Sequence, residues 1–340
     1  MTNLKKVSVG ITVYNQAHYI GQAVSSALAQ DYPNLEVIVS DNHSTDNIQE
    51  VINKFHDPRL KYFRNEQNIG MIKNCHRALY EYSTGDYALH LDGDDYFIDS
   101  GYIRRTMDLI DRQGLAMVFA RSKSFYEKDN VFIEDKVNRD LPEVMDGNWL
   151  FLNFYKGYSF PTLTVVHDRP YAMEMGFFEK SVRSVDWEGF LKLIIGKKIG
   201  FVNQFVAVWR RHGMNYTLNQ DLDKILSNVE YIDSPYRFAL LKQAFPQDIL
   251  DLWRRRMLKR YFVQVLLRAA ITKNKVQEKG IVDFLVEYDR AVYDSIRIDP
   301  RFIVMKTVIR SSRMTHFVFK HILKQETFIK DFEYIQSASS

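Results

Sequence analysis

Three aspartates, Asp92, Asp94 and Asp95, lie within four positions directly after the apolar run Tyr87–Leu91. Carboxylates packed this closely repel one another unless a cation or a hydrogen-bond donor lies between them. Hard divalent cations such as Mg²⁺ and Mn²⁺ prefer carboxylate oxygens and often bridge them to phosphate. The cluster therefore favours a metal–diphosphate site at a strand end. An acidic turn is the alternative, because Asp and Gly are also ordinary turn residues.

The elements that must position this cluster alternate between strand-like and helix-like patterns over the first 120 residues. Strands are predicted over Lys6–Val13, Leu35–Ser40, Leu60–Phe63, Tyr87–Leu91 and Leu115–Ala120, and helices over Ile20–Ala29, Thr45–Phe55, Ile69–Tyr82 and Ser100–Arg112. Alternation at this spacing is typical of right-handed βαβ units. We therefore predict an α/β, Rossmann-like fold with a mostly parallel sheet and helices on both faces.

Polar residues follow three of these predicted strands at the point where each strand ends. Tyr14 and Asn15 follow the first, Asp41 follows the second, and Asp92–Asp95 follow the fourth. In open parallel sheets, ligands lie beyond the carboxyl ends of the strands. We therefore expect these side chains to line one crevice.

The second half of the chain has a different pattern, almost wholly helical from about Leu222 to Lys330. We predict a catalytic domain over residues 1–218, a helical region over 219–335 and a short polar tail over 336–340. Residues 251–340 carry 18 Lys and Arg against 10 Asp and Glu, while the chain as a whole has a net charge of +4. The C-terminal region is therefore basic and residues 1–250 are acidic. Such a charge asymmetry indicates that the protein binds a partner and says little about its fold.

The composition is that of a soluble globular protein, with 46% hydrophobic and 26% charged residues. The single cysteine, Cys75, excludes an internal disulfide and fits a reducing compartment. No apolar stretch approaches the length of a spanning helix, and the N-terminus lacks a signal-peptide pattern. We expect a cytoplasmic protein, either free or peripheral on the inner face of the cell membrane.

Four ordered motifs resemble those of the family 2 glycosyltransferases, which have the GT-A fold. The motifs are Val7–Asn15, Ser40–Asp46, Asn65–Gly70 and Asp92–Asp95. The similarity covers about residues 5–215, and four motifs at family-like spacing make it specific. The resemblance implies an inverting transfer of a sugar from a nucleotide-diphosphate sugar.

The resemblance assigns the nucleotide base to Thr12, Tyr14 and Asp41, with Asn15 beside them in the substrate site. Tyr14 would stack on the base and Asp41 would accept a hydrogen bond from it. Each residue has a structural alternative. Tyr14 could be a core aromatic at the strand end, and Asp41 could cap a turn before a helix.

The resemblance also assigns Asn68 and Gly70 to a loop that approaches the nucleotide, where glycine permits close backbone contact. Asp92 and Asp94 match the two acidic positions of the family's DxD motif. Asp92 would lie near the ribose or sugar, and Asp94 would bind a divalent metal, Mn²⁺ or Mg²⁺, that bridges the diphosphate. Asp95 follows as a supporting or alternate ligand.

The segments Gly176–Glu179 and Ser184–Leu193 resemble the second half of the family's catalytic domain. There an acidic pair opens a helix, and its second member is the general base. That implies Asp186 as the base, which takes the proton of the acceptor hydroxyl as it attacks. Val185 stands at the first acidic position, so Glu188 stays open as a substitute base. The structural alternative for Asp186 is an acid that stabilises the first turn of a helix.

The segment Trp209–Asn215 resembles the Arg-x-His segment that closes over the diphosphate in this family. It implies His212 as a metal or phosphate ligand, and Arg210 or Arg211 as the cation that neutralises the leaving group. The Gln-x-x-Arg-Trp motif of processive members does not occur in the sequence. A single-addition enzyme is therefore favoured.

The helical region carries no motif of its own. In Phe302–Leu323 and at Lys324 beyond it, basic side chains gather within about one third of the helical circumference. Three interpretations stay open: a helix packed on the catalytic domain, a contact with anionic lipid, and a surface for the acceptor or for a homo-oligomer. No nucleic-acid recognition motif accompanies the charge, so nucleic acid is not expected.

As a whole, the sequence predicts a metal-dependent glycosyltransferase that uses a UDP-sugar and acts on a glycan or lipid-linked acceptor. Cell-surface polysaccharide synthesis is the expected setting. The main alternative is a non-catalytic protein of the same fold that binds a nucleotide sugar or glycan. A nucleotidyltransferase is disfavoured, because residues 10–21 offer no basic triphosphate loop.

Overall fold

The computed structural model describes residues 4–134, 136–212, 215 and 221–308. The chain divides into two compact units. The first comprises residues 1–125 and 134–210, and the second comprises residues 126–133 and the chain from 211 onward. Residues 216–220, which surround the predicted boundary at 218, lie outside the described residues, so that boundary stays a prediction.

The first unit is built on one large sheet. Its strands are β1 (Val7–Val13), β2 (Leu35–Asp41), β3 (Leu60–Arg64), β4 (Tyr87–Asp92), β5 (Tyr96–Phe97), β6 (Met117–Tyr126), β8 (Val144–Asp146), β9 (Val166–Asp168) and β10 (Lys198–Arg211). The strand β7 (Val131–Glu134) follows β6 in the chain and belongs to the second unit except for its last residue. Eight strands follow the order β3-β2-β1-β4-β9-β6-β10-β5, and β8 pairs with β10. The strands β1 to β4 pair in parallel, whereas β9 pairs antiparallel with β4 and β6, and β10 with β5 and β8.

Helices connect these strands. They are α1 (Ala17–Leu28), α2 (Ile48–Ile52), α3 (Met71–Arg77), α4 (Tyr102–Gln113), α5 (Gly147–Asn153), α6 (Arg169–Glu174) and α7 (Val185–Leu193). The helix predicted over Ile69–Tyr82 is α3 followed by one π-helical turn. The helix predicted over Thr45–Phe55 is shorter, because Ser44 and Thr45 donate their N–H groups to Asp41 and Asn15 and so hold the preceding segment as a loop.

The core lies on both sides of the parallel strands. β1 and β2 are buried at all seven of their positions, as expected for parallel strands covered on both faces. Ile20 and Val24 of α1 and Ile103 and Ile110 of α4 belong to the same buried cluster as these strands. Burying one such aliphatic side chain contributes about 1.5–3 kcal/mol. The α/β fold predicted from the sequence is confirmed, with its parallel part limited to four strands.

A buried carboxylate joins the amino ends of the same strands. Glu36 of β2 is 2% exposed. It accepts hydrogen bonds from the Ser8 hydroxyl (2.6 Å) and the Thr84 N–H (2.7 Å), and it binds the ammonium groups of Lys6 (2.8 Å) and Lys61 (2.9 Å). Burial alone would raise the pKa of Glu36, but the hydrogen bonds from Lys6, Ser8 and Lys61 outweigh it and lower the pKa to about 2. The cluster fixes the strands at the end opposite to the polar motifs.

The second unit is helical over residues 221–308. Its helices are α8 (Leu222–Ser227), α9 (Glu230–Leu241), α10 (Gln247–Ile271), α11 (Lys275–Tyr288), α12 (Arg290–Arg297) and α13 (Pro300–Val308). Arg254 of α10 forms ion pairs with Asp233 of α9 at 2.6 Å and with Asp289 at 3.1 Å. In the part of the chain that the structure describes, no helix has both the length and the apolar character needed to cross a membrane. The basic residues predicted beyond Val308, and the tail 336–340, lie outside the described residues.

Candidate active site

The strand register brings the first three motif residues together. In the parallel pairing, Thr12 of β1 lies opposite Ser40 of β2 on one side and opposite Asp92 of β4 on the other. Val13 lies opposite Asp41. Thr12, Asp41 and Asp92 therefore occupy neighbouring positions at the carboxyl ends of three adjacent strands, which is where ligands bind in sheets of this type.

The acidic turn follows β4 and is closed by the backbone. The Gly93 N–H donates to the Thr12 carbonyl, and the Asp95 N–H donates to the Asp92 carbonyl, each at 3.0 Å. A Cβ atom on Gly93 would come within 2.8 Å of the side chains of Gln16 and Val13, so the turn needs glycine at this position.

Within that turn, Asp92, Asp94 and Asp95 each offer a carboxylate oxygen, and the three oxygens lie within 4.8 Å of one another. The Asp92 side chain is 52% exposed, whereas Asp94 and Asp95 are buried. A set of clustered carboxylate oxygens is the donor set that Mg²⁺ and Mn²⁺ prefer. The residues present therefore fit a hard divalent cation.

Asp95 also has a structural contact at the end of β10. Its Oδ1 accepts the backbone N–H of Arg210 at 2.9 Å, and the Arg210 Nε donates to the carbonyl of Asp94 at 3.0 Å. The guanidinium lies 4.9 Å from the ring centre of Tyr19 and 5.2 Å from that of Tyr96. The sequence singled out Arg210 only as a cation for the leaving group. Its backbone contact leaves no sequence signal, because every residue except proline carries the same N–H.

Tyr14 and Asn15 follow β1 as an exposed pair. Tyr14 is 44% exposed, so its ring is available to stack on a planar base. Asn15 has a left-handed backbone with φ of 52°, and its Oδ1 accepts the Thr45 N–H at 2.8 Å. Its own N–H donates to the Ser44 hydroxyl at 2.9 Å. Asn15 therefore joins the end of β1 to the loop after β2.

Asp41 makes the capping turn that was the alternative interpretation of this residue. Its Oδ1 accepts the Ser44 N–H at 2.8 Å and the Ser44 hydroxyl at 2.5 Å, and its Oδ2 accepts the Tyr62 hydroxyl at 2.6 Å. The Arg64 Nε lies 3.6 Å from the same Oδ2. A carboxylate accepts about four hydrogen bonds. Three are in place, Arg64 lies beside Oδ2, and Asp41 is only 1% exposed.

The loop that contains Asn68 and Gly70 is held by Asn42, which the sequence analysis did not single out. The Asn42 Nδ2 donates to the Asn68 Oδ1, and the Asn42 Oδ1 accepts the Ile69 N–H, both at 2.9 Å. The Asn68 Oδ1 also accepts the Gly70 N–H at 2.9 Å. Gly70 has φ of 85°, a conformation that favours glycine, and directly precedes α3.

Asp186 lies in the first turn of α7 and is partly buried. The hydroxyl of Thr162 donates a hydrogen bond to its Oδ2. Burial raises the pKa of Asp186 above its ordinary value, and the negative charge of Asp92 raises it further, while the hydrogen bonds from Thr162 and the Trp187 N–H offset part of that rise.

Glu188, the alternative base, has a different environment. Its side chain is fully buried and forms an ion pair with Lys192 at 2.8 Å. The Lys192 Nζ also donates to the carbonyl of Met175 at 2.6 Å. A carboxylate enclosed in this way supports packing of the helix and is not open to an acceptor molecule.

Arg211 and His212 belong to the second unit. The Arg211 guanidinium lies 5.9 Å from the ring centre of Tyr126, and the His212 N–H donates to the Asn215 Oδ1 at 3.0 Å. Their predicted roles, on the diphosphate and on the metal, stay predictions.

A parallel half-sheet with polar residues and an acidic turn at the carboxyl ends of its strands is the arrangement expected of the GT-A fold. The chain belongs to glycosyl transferase family 2, whose family model matches residues 8–181. The resemblance identified from the sequence motifs is thereby confirmed.

Two relatives illustrate this membership. The chondroitin synthase of Pasteurella multocida (strain Pm70) is 30% identical over 275 residues, which cover 72% of this chain and 27% of that protein. WfaP of Escherichia coli, a UDP-Glc:alpha-D-GlcNAc-diphosphoundecaprenol beta-1,3-glucosyltransferase, is 30% identical over 176 residues, 51% of this chain and 65% of that protein. The chain thus spans about a quarter of the first relative and just under two thirds of the second.

Solved structures show the same fold. S. aureus TarS 1–349 in complex with UDP-GlcNAc matches with a TM-score of 0.66 and 16% identity, over 98% of this chain and 90% of that one. The mannosyltransferase PcManGT from Pyrobaculum calidifontis, in complex with GDP-Man and Mn²⁺, matches with a TM-score of 0.57 and 16% identity, over 99% and 87% of the two chains.

Proposed function

We propose that this protein is an inverting, metal-dependent glycosyltransferase that moves a sugar from a UDP-sugar to a hydroxyl of a glycan or lipid-linked acceptor. The observation that carries the proposal is the group of three carboxylate oxygens within 4.8 Å of one another at the carboxyl end of β4. Packing alone does not account for such a group, since like charges repel.

The donor nucleotide would bind along the ends of β1 and β2. Tyr14 stacks on the base, Asp41 accepts a base N–H on its remaining acceptor position, and Asn15 keeps the two strand ends together. The loop carrying Asn68 and Gly70 closes the nucleotide side, where glycine permits a close backbone approach.

The acidic turn would hold the diphosphate end of the donor through Mn²⁺ or Mg²⁺. Asp94 supplies the principal ligand, and Asp95 supports the turn. His212 is the second ligand that the family resemblance implies. Such a metal, when bound, neutralises charge on the departing diphosphate. Asp92 lies near the ribose or sugar, and Arg211 adds a positive charge to the leaving group.

Asp186 would act as the general base. Its carboxylate accepts the proton of the acceptor hydroxyl while the hydroxyl oxygen forms its bond to C1 of the sugar. The bond between C1 and the diphosphate oxygen breaks on the opposite face, so the configuration at C1 inverts. A raised pKa brings a carboxyl group closer to the operating pH and so makes it a better proton acceptor. The buried ion pair of Glu188 supports Asp186 over Glu188 for this role.

One relative and one solved structure support the choice of donor and acceptor. WfaP is named for UDP-Glc and a diphosphoundecaprenol acceptor, and TarS was solved with UDP-GlcNAc. The excess of positive charge in residues 251–340 suits an acidic or diphosphate-linked acceptor at the cytoplasmic face of a membrane. The helical region is proposed to contact the membrane surface or a second copy of the chain.

The proposal is tested with a panel of UDP- and GDP-sugars in the presence of Mn²⁺, scored by release of the nucleoside diphosphate with and without EDTA. We expect release from one or more UDP-sugars, lost on chelation and in Asp94→Ala. Binding of a nucleotide sugar without release, with acceptors supplied, would favour the non-catalytic alternative. Turnover that survives chelation would contradict the metal role of Asp94.

A further inference from the structure

We propose that His90 is a positioning residue of the transfer site, whose buried imidazole fixes the carboxylate of Asp92 in one orientation before the donor binds. The inference deepens the proposed function and rests on it. No sequence motif pointed to this histidine. It lies within β4, whose other residues before Asp92 are apolar.

The first observation is the contact itself. The Nε2 of His90 lies 3.0 Å from the Oδ1 of Asp92. Among the described residues, no other side chain forms a hydrogen bond or an ion pair with the Asp92 carboxylate. The Asp92 side chain is 52% exposed, so without this contact it would be free to rotate in the crevice.

The second observation is that His90 itself is held on several sides. It is 9% exposed and lies on β4, between β1 and β9. The Sγ of Cys75 lies 3.9 Å from its Nε2, and the ring of Phe178 lies 5.5 Å away in an edge-on arrangement. The Thr12 hydroxyl lies 3.7 Å from the same sulfur, so the contacts continue to the predicted base pocket.

Phe178 adds a sign of strain to this environment. Its backbone φ is 63°, in the left-handed region that a bulky side chain rarely adopts. Strained backbone of this kind persists where the surroundings hold it in place. Here the bend after Gly176 turns the Phe178 ring onto His90.

The chemistry of the pair sets the direction of the hydrogen bond. A carboxylate only accepts, so the Nε2 of His90 carries the hydrogen and donates it. His90 and Asp92 are two positions apart on one strand, so their side chains lie on the same face of the sheet. The bond occupies Oδ1 and leaves Oδ2 directed to the donor. Partners that orient a binding carboxylate typically contribute 10–100-fold in affinity or activity.

The consequence concerns the geometry between the donor and the base. Asp92 is proposed to contact the ribose or sugar, and its charge already acts on Asp186. A sugar held by a rotating carboxylate would present C1 at a variable distance from the base, and a misplacement of about 1 Å can cost about 100-fold in rate. His90 therefore keeps the donor sugar in register with Asp186.

The test compares His90→Met, which removes the donor but keeps the bulk, with His90→Gln, whose amide N–H reaches a similar position. Mn²⁺ binding is measured by electron paramagnetic resonance, and donor KM and kcat by release of nucleoside diphosphate. We expect His90→Met to lose about 10–100-fold in kcat/KM, with a raised donor KM, and His90→Gln to stay within about threefold of wild type. Mn²⁺ binding should stay near wild type in both, because Asp94 is the proposed principal ligand.

His167→Met is the matched control. His167 is a second buried histidine, 1% exposed, that lines the same small cavity beside His90 and makes no hydrogen bond to Asp92. Its loss should lower the unfolding temperature as much as His90→Met does, and should leave donor KM and Mn²⁺ binding near wild type.

The outcomes separate this inference from the proposed function. Equal losses in His90→Met, His90→Gln and His167→Met would show a purely structural role and overturn the inference. A normal donor KM in His90→Met, with Mn²⁺ binding lost in Asp94→Ala, would overturn the inference and leave the proposed function standing. A wild-type protein that binds neither Mn²⁺ nor a nucleotide sugar would overturn both.

Discussion

The backbone N–H of Arg210 donates a hydrogen bond to the carboxylate of Asp95 at 2.9 Å and so joins two segments 115 positions apart in the chain. The acidic turn is therefore anchored at its far end by β10, while its near end continues from β4. The three aspartates consequently differ in exposure and in hydrogen bonding. Asp95 has one oxygen committed to the backbone, whereas Asp92 is more exposed and Asp94 lies between them.

This arrangement predicts different outcomes for the same substitution at neighbouring positions. Asp95→Asn keeps an Oδ1 that accepts the Arg210 N–H, so we expect Mn²⁺-dependent turnover within about fivefold of wild type. Asp94→Asn loses the charge that holds the metal and should lose about 100-fold or more. Asp95→Ala leaves a buried N–H without a partner and should cost about 1–3 kcal/mol of stability. A loss in Asp95→Asn as large as in Asp94→Asn would instead make Asp95 a direct ligand.

The choice between Asp186 and Glu188 as the base is tested by their amide variants. Asp186→Asn should lower kcat by about 10²–10⁴-fold, because proton transfer is lost, and should leave donor binding near wild type. Glu188→Gln removes one partner of a buried ion pair and should cost about 3–5 kcal/mol in the free energy of unfolding, with kcat per folded molecule near wild type. The reverse pattern in single-turnover assays and urea titrations would assign the base to Glu188.

Tyr14 is predicted to contribute to binding and little to folding. Stacking of an aromatic ring on a base is worth about 1–3 kcal/mol, so Tyr14→Ala should weaken UDP binding by about 10–100-fold in calorimetry. Tyr14→Phe keeps the ring and serves as the control, with affinity near wild type. Because Tyr14 is 44% exposed, neither change should shift the unfolding temperature by more than about 2 °C. Equal affinity in both variants would exclude stacking on the base.

The parts of the fold and site that the sequence predicts are those with local signals. β1 and β2 are recognisable as largely apolar runs in the sequence because they are buried on both faces. Their motif residues follow directly in the chain. The same holds for β4 and the acidic turn. For such parallel strands, the position of a polar residue just after the run is enough to place it at the ligand-binding edge of the sheet.

In the antiparallel half of the sheet, the local sequence pattern no longer predicts the strands correctly. A 3₁₀ turn, Thr162–Thr164, precedes the strand β9, whose three residues are too few to show an alternating apolar pattern in the sequence. β6 continues to Tyr126, beyond the predicted end at Ala120. The cationic groups of Arg121 and Lys123, in this added part, lie 3.9 and 5.1 Å from the ring centre of Phe205, which is 82 or more positions away in the chain. The contacts of Asn42 and Arg210 depend on partners 26 to 116 positions away in the chain, which a single sequence does not reveal.

The buried carboxylate at the opposite end of the sheet predicts a pH-dependent contribution to stability. The pKa of Glu36 is about 2 in the folded protein, against an ordinary value of 4.5. Because the folded value is lower, its contribution, about 3 kcal/mol, is complete above about pH 5 and is lost as the pH falls toward 2. The difference in unfolding free energy between wild type and Glu36→Gln should therefore be larger at pH 7 than at pH 3. A difference independent of pH in urea titrations would contradict this role.

The hydroxyl of Thr162 predicts a shift in the pH dependence of catalysis. The rate should fall as the pH drops through the pKa of Asp186, which burial raises above the ordinary value of 3.8, because a protonated carboxyl cannot accept the acceptor's proton. Thr162→Val removes a hydrogen bond that stabilises the charged form, so the acidic limb of kcat/KM should move to higher pH. Thr164→Val is the matched control, since that buried hydroxyl lies within hydrogen-bond distance of the backbone carbonyls of Ala120 and Pro161, accepts the Ala120 N–H, and does not contact Asp186. It should lower stability without moving the limb, and an unmoved limb in Thr162→Val would show that Asp186 does not set the pH dependence.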